Sequence, residues 1–125
     1  MKSYFYLTKQ IGLSDFPGNK SWTSNYKLAV NGHIIATELK VQVKIAWPDY
    51  VFSKAYKLMQ LTDLKEYIKT NNHLPEIASS DQVTAENGFD LGKSNIMLLK
   101  KIEELTLYLI ELNEKINELE NKLHN

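Results

Sequence analysis

The hydrophobic pattern changes its period along the chain, and each change predicts an element. Near the start, Tyr4, Phe5, Tyr6 and Leu7 are apolar on both faces of a period-two pattern, which predicts a strand buried on both sides. Ser14 to Asn25, centred on Pro17-Gly18, has turn chemistry and predicts a connector. Asn31-Gly32 then lies between two apolar runs. That pair suits a type I′ turn, in which both central residues take positive φ. Beyond it Leu39, Val41, Val43 and Ile45 alternate with Lys40, Gln42 and Lys44, the pattern of a half-buried strand. Pro48 has no backbone N–H and disfavours helix at Trp47, so the strand ends there. Strands of this length need partners, and the chain supplies few. Neighbouring copies would complete the sheet and cover its edges.

The period then shifts to that of a helix. Leu61 to Pro75 predicts a short helix with Thr62 as N-cap, Asp63 at its positive end, and Leu64, Tyr67 and Ile68 on one stripe. Asn71-Asn72 and Pro75 end it. Ser79 with Gln82 fits a capping box, and Gly88 suits the left-handed C-terminal position of a second short helix. In the last segment apolar residues alternate at spacings of four and three. Ile102, Leu109, Ile116 and Leu123 fall at a, and Leu98, Leu105, Leu112 and Leu119 at d. The plain alternative is one amphipathic helix folded onto its own domain. The strict seam and the polar remainder after Asn113 favour a coiled coil. Lys115 at g and Glu120 at e suit pairing between parallel neighbours. Leu107, Tyr108 and Ile110 lie off the seam, which predicts a second buried face on the first half of the helix, against the globular part.

Composition narrows the function classes. The 125 residues carry equal numbers of basic and acidic side chains, and a dedicated nucleic-acid binder usually has a basic excess. There is no cysteine, hence no disulfide framework or thiolate metal site. No apolar run reaches the length of a bilayer span, and the N-terminus lacks the apolar stretch of a signal peptide. His33, His73 and His124 have no metal-ligand spacing and read as surface or turn residues. Glu103, Glu104, Glu111, Glu114 and Glu118 read as a solvated helix face rather than catalytic carboxylates. The glycines near Asn87-Gly88 and Gly92 lack phosphate-loop spacing. Trp22, Tyr26, Trp47 and Tyr50 are candidates for a ligand platform, weighed against core or interface packing. No catalytic, cofactor or metal residues are expected.

The run "YKLAVNGHIIATELKV" resembles the strand-turn-strand unit at the end of trimeric bacterial surface fibres and phage tail fibres. The run from Trp47 through "NGFDLGKSNIMLLKKIEELTLYLIELNEKINELE" is similar to the module that follows it, the intramolecular chaperone domain of endosialidase-type tail spikes. The resemblance covers Tyr26 to the C-terminus. It implies a homotrimer that registers a β-rich fibre, on a virion tail or at a cell surface. Self-cleaving members carry a Ser-Asp pair and a nearby lysine where the module starts. Here that start, Lys44 to Asp49, has no Ser-Asp; Ser14-Asp15 and Ser80-Asp81 lie elsewhere.

The expected fold is α+β: a connector segment over 1–25, fibre-type strands of a β-prism or β-helix kind over 26–46, a small helical collar over 47–93, and a parallel coiled coil over 94–125. The leading expectation is a non-enzymatic trimerisation module, with Leu98, Ile102, Leu105, Leu109, Leu112, Ile116, Leu119 and Leu123 as its interface. Seam chemistry alone leaves the stoichiometry open, because isoleucine at a favours dimers and two of the four a positions are leucine; the trimer comes from the resemblance. The alternatives are a receptor- or glycan-binding tip and, third, a self-cleaving chaperone. Other fibre or tail proteins and a host-surface glycan or protein are the possible partners; nucleic acid and membrane insertion are not expected.

Overall fold

A computed structural model describes Ile11, Gly12, Tyr26 and residues 28–125. The chain divides between Lys40 and Val41 into two units. In the first, β1 (Ile11–Gly12) and β2 (Leu28–Ala29) form a short parallel bridge, with Ile11 opposite Leu28 and Gly12 opposite Ala29. The strand expected over Tyr4–Leu7, the connector over 14–25 and Trp22 lie outside the described residues.

The sequence reading of 26–46 differs from the single chain in two ways. β2 pairs with β1 instead of turning back at Asn31-Gly32, and residues 30–46 take neither helix nor strand. Asn31 and Gly32 bend the chain, but the positive-φ residues among those described are Asn72, Glu76, Asn87 and Gly88. A type I′ turn requires positive φ at both central residues, and neither Asn31 nor Gly32 has it in the single chain. An isolated two-stranded hairpin is marginal in water without a third strand or a packed face. Here Ile34, Ile35 and Leu39 stay 72%, 99% and 74% exposed.

The second unit begins at Val41. Trp47 holds an extended backbone ahead of proline, and Pro48 opens a 3-10 helix, Pro48–Phe52. α1 follows over Leu61–Asn71, with Gln60 rather than Thr62 as its N-cap and no side-chain cap. Thr62 sits one residue inside the helix start, where its hydroxyl no longer flanks the free N–H groups. Asn72 ends α1 in the left-handed conformation, φ 58°, its N–H donating to the Ile68 carbonyl at 2.8 Å. α2 (Ser80–Ala85) opens on the expected capping box: the Gln82 N–H donates to Ser79 Oγ at 3.2 Å and the Ser79 N–H to Gln82 Oε1 at 2.9 Å. Asn87 (φ 56°), not Gly88, takes the left-handed position at its end. The Gly88 N–H reaches back to Val83 and the Asn87 N–H to Thr84, a Schellman closure.

α3 runs unbroken over Leu91–Leu123, about 50 Å at 1.5 Å per residue. Asp90 caps it, accepting from the Lys93 N–H at 2.9 Å. In its first turn the chain crosses closely: a Cβ at Gly92 would stand 2.8 Å from Val41 Cγ1. That approach is open only to glycine. The 3-10 helix packs on α3, and Val51 and Ile96 are each 1% exposed, with Pro48 buried beside them. Further along, the Tyr108 hydroxyl donates to the Met59 carbonyl at 2.6 Å. The second face of α3 carries Ile96, Lys100, Glu103, half-buried Leu107 and Tyr108. Ile110, expected on that face, is 51% exposed, and every residue from Leu109 onward is exposed. Among the described residues, Tyr108 is the last of α3 to be buried.

Candidate functional site

The first candidate is the face of α3 turned away from the collar. Leu98, Ile102, Leu105, Leu109, Leu112, Ile116, Leu119 and Leu123 are all exposed, from 43% at Leu112 to 85% at Leu123. The heptad places them on one stripe, while the collar occupies the other side. They leave roughly 800 Å² of apolar side chain per chain facing water, about what each partner contributes to a standard interface. Isolated apolar patches on monomers run about 300–600 Å². Within the chain Lys115 pairs with Glu111, one turn back, at 2.6 Å.

The second candidate lies where α3 meets the turn after α1. Leu74, Pro75, Glu76 and Ile77 form a turn closed by the Ile77 N–H donating to the Leu74 carbonyl at 3.2 Å. Proline at the second position is favoured there, but the third, with φ > 0, usually goes to glycine. Glu76 holds it at φ 65°. Its carboxylate accepts from Lys100 Nζ at 2.6 and 2.5 Å and from Lys101 Nζ at 3.2 Å. Lys101 also donates to Glu104 at 2.8 Å, and the Tyr56 hydroxyl donates to the other Glu104 oxygen. The Lys100 ammonium lies 5.7 and 5.9 Å from the ring centroids of Tyr50 and Tyr56.

The lysine side chains are only 8% and 11% exposed, against 48% for Glu76. Burial works against the Glu76 carboxylate, but hydrogen bonds from both lysines outweigh it and hold its pKa below the usual value. For Lys100 burial likewise opposes charge, and the bond to Glu76 wins, raising its pKa. Burial, then the hydrogen bond to Glu104, pushes the Tyr56 phenol up to about 12. The charges in this cluster are matched, and its chemistry is that of a clamp rather than of an acid or base poised to react.

Glu103 and Glu104 correct the sequence reading. Both are drawn inward instead of lying on a solvated face, while Glu111, Glu114 and Glu118 are exposed as that reading expects. Glu104 is held by Lys101 and Tyr56. Glu103 Oε2 is buried without a partner among the described residues, and burial with the nearby Asp49 charge raises its pKa.

Of the proposed ligand platform, Trp22 lies outside the described residues and Tyr26 belongs to the first unit, 59% exposed. In the second unit Trp47 is 53% exposed, whereas Tyr50 tilts against Tyr56 with centroids 6.0 Å apart and faces the Lys100 ammonium. A groove of about 540 Å³ runs between α1, α2 and the start of α3, with Tyr67, His73 and Phe89 beside Gln82, Glu86 and Lys93. In it the His73 ring meets Tyr67 edge-on at 5.7 Å, and its Nδ1–H donates to the Leu74 carbonyl at 2.9 Å. Among the described residues no three His, Asp or Glu side chains gather as a metal site, and no helix is long and apolar enough to cross a membrane.

Sequence reasoning missed the Glu76–Lys100–Lys101–Glu104–Tyr56 cluster. A signal existed for Lys100: it shares one helical face with Ile96, Glu103 and Leu107, so it falls between apolar residues of the off-seam face. No protein-family model matches the chain, and no curated protein or solved structure matches it.

Proposed function

We propose that this chain is a non-enzymatic trimerisation module of a tail-fibre-like or cell-surface fibre protein, working in a virion tail or outside the cell. α3 joins three parallel copies through its a and d residues, and the collar ties each helix to the segment that leads into the fibre strands. The observation that carries the reading is the exposed seam: eight leucine and isoleucine residues in one stripe, on a helix whose opposite face is covered as far as Tyr108 and polar on most positions beyond it. Exposed Ile34, Ile35 and Leu39 support it too, since strands completed by neighbouring subunits leave such residues bare in one chain. The family resemblance supplies the number three. Light scattering at micromolar concentration tests the proposal: a mass of three chains is expected, and a monomer refutes it.

A second reading, a glycan- or protein-binding tip, draws on the groove beside Tyr67 and Phe89, whose aromatic walls and polar rim suit a sugar. Glycan-array binding that is lost on Phe89→Ala, with the oligomer intact, would favour it.

A further inference from the structure

A cleft of about 160 Å³ opens beside the seam. Met59, Leu64 and Leu74 form its outer wall, and Lys101, Leu105 and Tyr108 of α3 its inner one. Leu105 belongs to both the cleft and the seam, so the cleft continues the face proposed to bind a second copy. Its volume is of the order that takes one benzene-sized apolar group. Ile110 is the reciprocal oddity. It is apolar and 51% exposed, yet it lies at b, off the seam and beyond the collar's reach.

Heptad geometry brings the two together. In a parallel coiled coil the g flank of one helix faces the e flank of the next. Lys101 and Tyr108 stand at g, and Thr106 and Asn113 at e. Pairing g with e sets Thr106 of a neighbouring copy beside Lys101. Ile110 follows Thr106 by four residues on the same ridge; in an in-register assembly it stands two residues, about 3 Å along the axis, past its neighbour's Tyr108, at the C-terminal end of the cleft. We infer that Ile110 of each copy seats in the Met59–Leu64–Leu105 cleft of its neighbour, so that the interface continues from the seam onto the collar. The contact is heterologous and closes as a ring, each copy giving one side chain and receiving one. It also covers the Lys101–Glu104 pair, shutting water away from the clamp. The inference rests on the parallel assembly proposed above.

The chain has no cysteine, so introduced thiols report a single contact. Chains carrying Ile110→Cys are mixed with tagged chains carrying Met59→Cys, allowed to exchange, and treated with mild oxidant. Hetero-crosslinked dimers are expected, with no crosslink in either variant alone. Ile110→Ser is expected to raise the concentration at which the assembly dissociates at least tenfold while helix content in the assembled state is kept. Intact trimers without the heterotypic crosslink, or with unchanged dissociation in Ile110→Ser, overturn the inference and leave the assembly reading standing. A monomeric mass for the unaltered chain overturns both.

Discussion

Replacing Glu76 sets two effects of similar size against each other. A left-handed backbone at a non-glycine residue costs about 1–2 kcal/mol, and Glu76 carries it at φ 65°. Against that cost stand three hydrogen bonds to two buried lysines. Charged bonds of this kind contribute about 1.5–3 kcal/mol when one partner is removed, and orphaning a fully buried charge costs about 3–5 kcal/mol. The Glu76 side chain is 48% exposed, so water replaces part of what is lost and the lower range applies. Lys101 keeps Glu104, whereas Lys100 keeps only the Tyr50 and Tyr56 rings among its described partners. Glu76→Ala is therefore expected to destabilise by about 2 kcal/mol. Glu76→Gly loses the same bonds but relieves the backbone, and should recover about 1 kcal/mol of that. Urea unfolding followed by circular dichroism, at one fixed protein concentration, measures both. A glycine variant more stable than the unaltered chain would mean that the clamp does not offset its strain. A glycine variant no better than alanine would refute the left-handed turn. Acid gives a second test. The Glu76 pKa is lowered on folding, so its contribution is present above the ordinary carboxylate pKa and fades as pH falls through the lower folded value. Glu76→Gln should flatten that acid limb.

Four further outcomes are expected. Replacing Leu105 and Leu112 with serine should leave monomers, seen by sedimentation, with aggregation wherever the β region survives; an intact trimer would refute the seam. The Glu103 pKa is raised on folding, so its ionisation opposes folding above the ordinary carboxylate range; Glu103→Gln should raise the neutral-pH melting temperature, and a fall would contradict the buried, unpaired carboxylate. The Tyr56 phenol, pushed up to about 12, contributes stability below its unfolded pKa near 10 that is lost as pH rises through 12; Tyr56→Phe should remove this alkaline slope in a pH series of unfolding curves. Gly92→Val should lift Val41 from the first turn of α3, and trypsin should then cut at Lys40 or Lys44 faster with helix content unchanged.

The sequence is legible where a local rule is enough. The long helix with its exposed apolar stripe follows from spacing, the Ser79–Gln82 box from residue type, and the extended backbone of Trp47 from the sterics of Pro48. It misleads where a distant partner decides. Nothing near Glu76 announces that a glutamate will occupy a glycine's place, because the reason lies 24 residues away at Lys100. Glu103 and Glu104 look solvated by composition, and become buried only because the 3-10 helix and the chain before α1 cover that face. Asn31-Gly32 suits a hairpin, yet β2 pairs with β1, and turn propensity alone does not hold strands that lack a third partner.

α3 is gripped at one end. From Gly92 against Val41 to Tyr108 against Met59 its rotation about its own axis is fixed by the collar. From Leu109 on, every residue is exposed. A straight α-helix drifts about 20° per heptad from the seven-residue repeat, and winding into a coiled coil must remove that drift. A shaft clamped at its base yields at its free end, so in the assembly proposed above the last two heptads, Ile110 to Leu123, would take up roughly 40° of twist. Torque from the coil then runs down into the clamp and, through Gly92, to the chain at Val41. In the assembly proposed above, each of three helices would bring such a twist to its own collar, and the three collars would have to turn by the same amount.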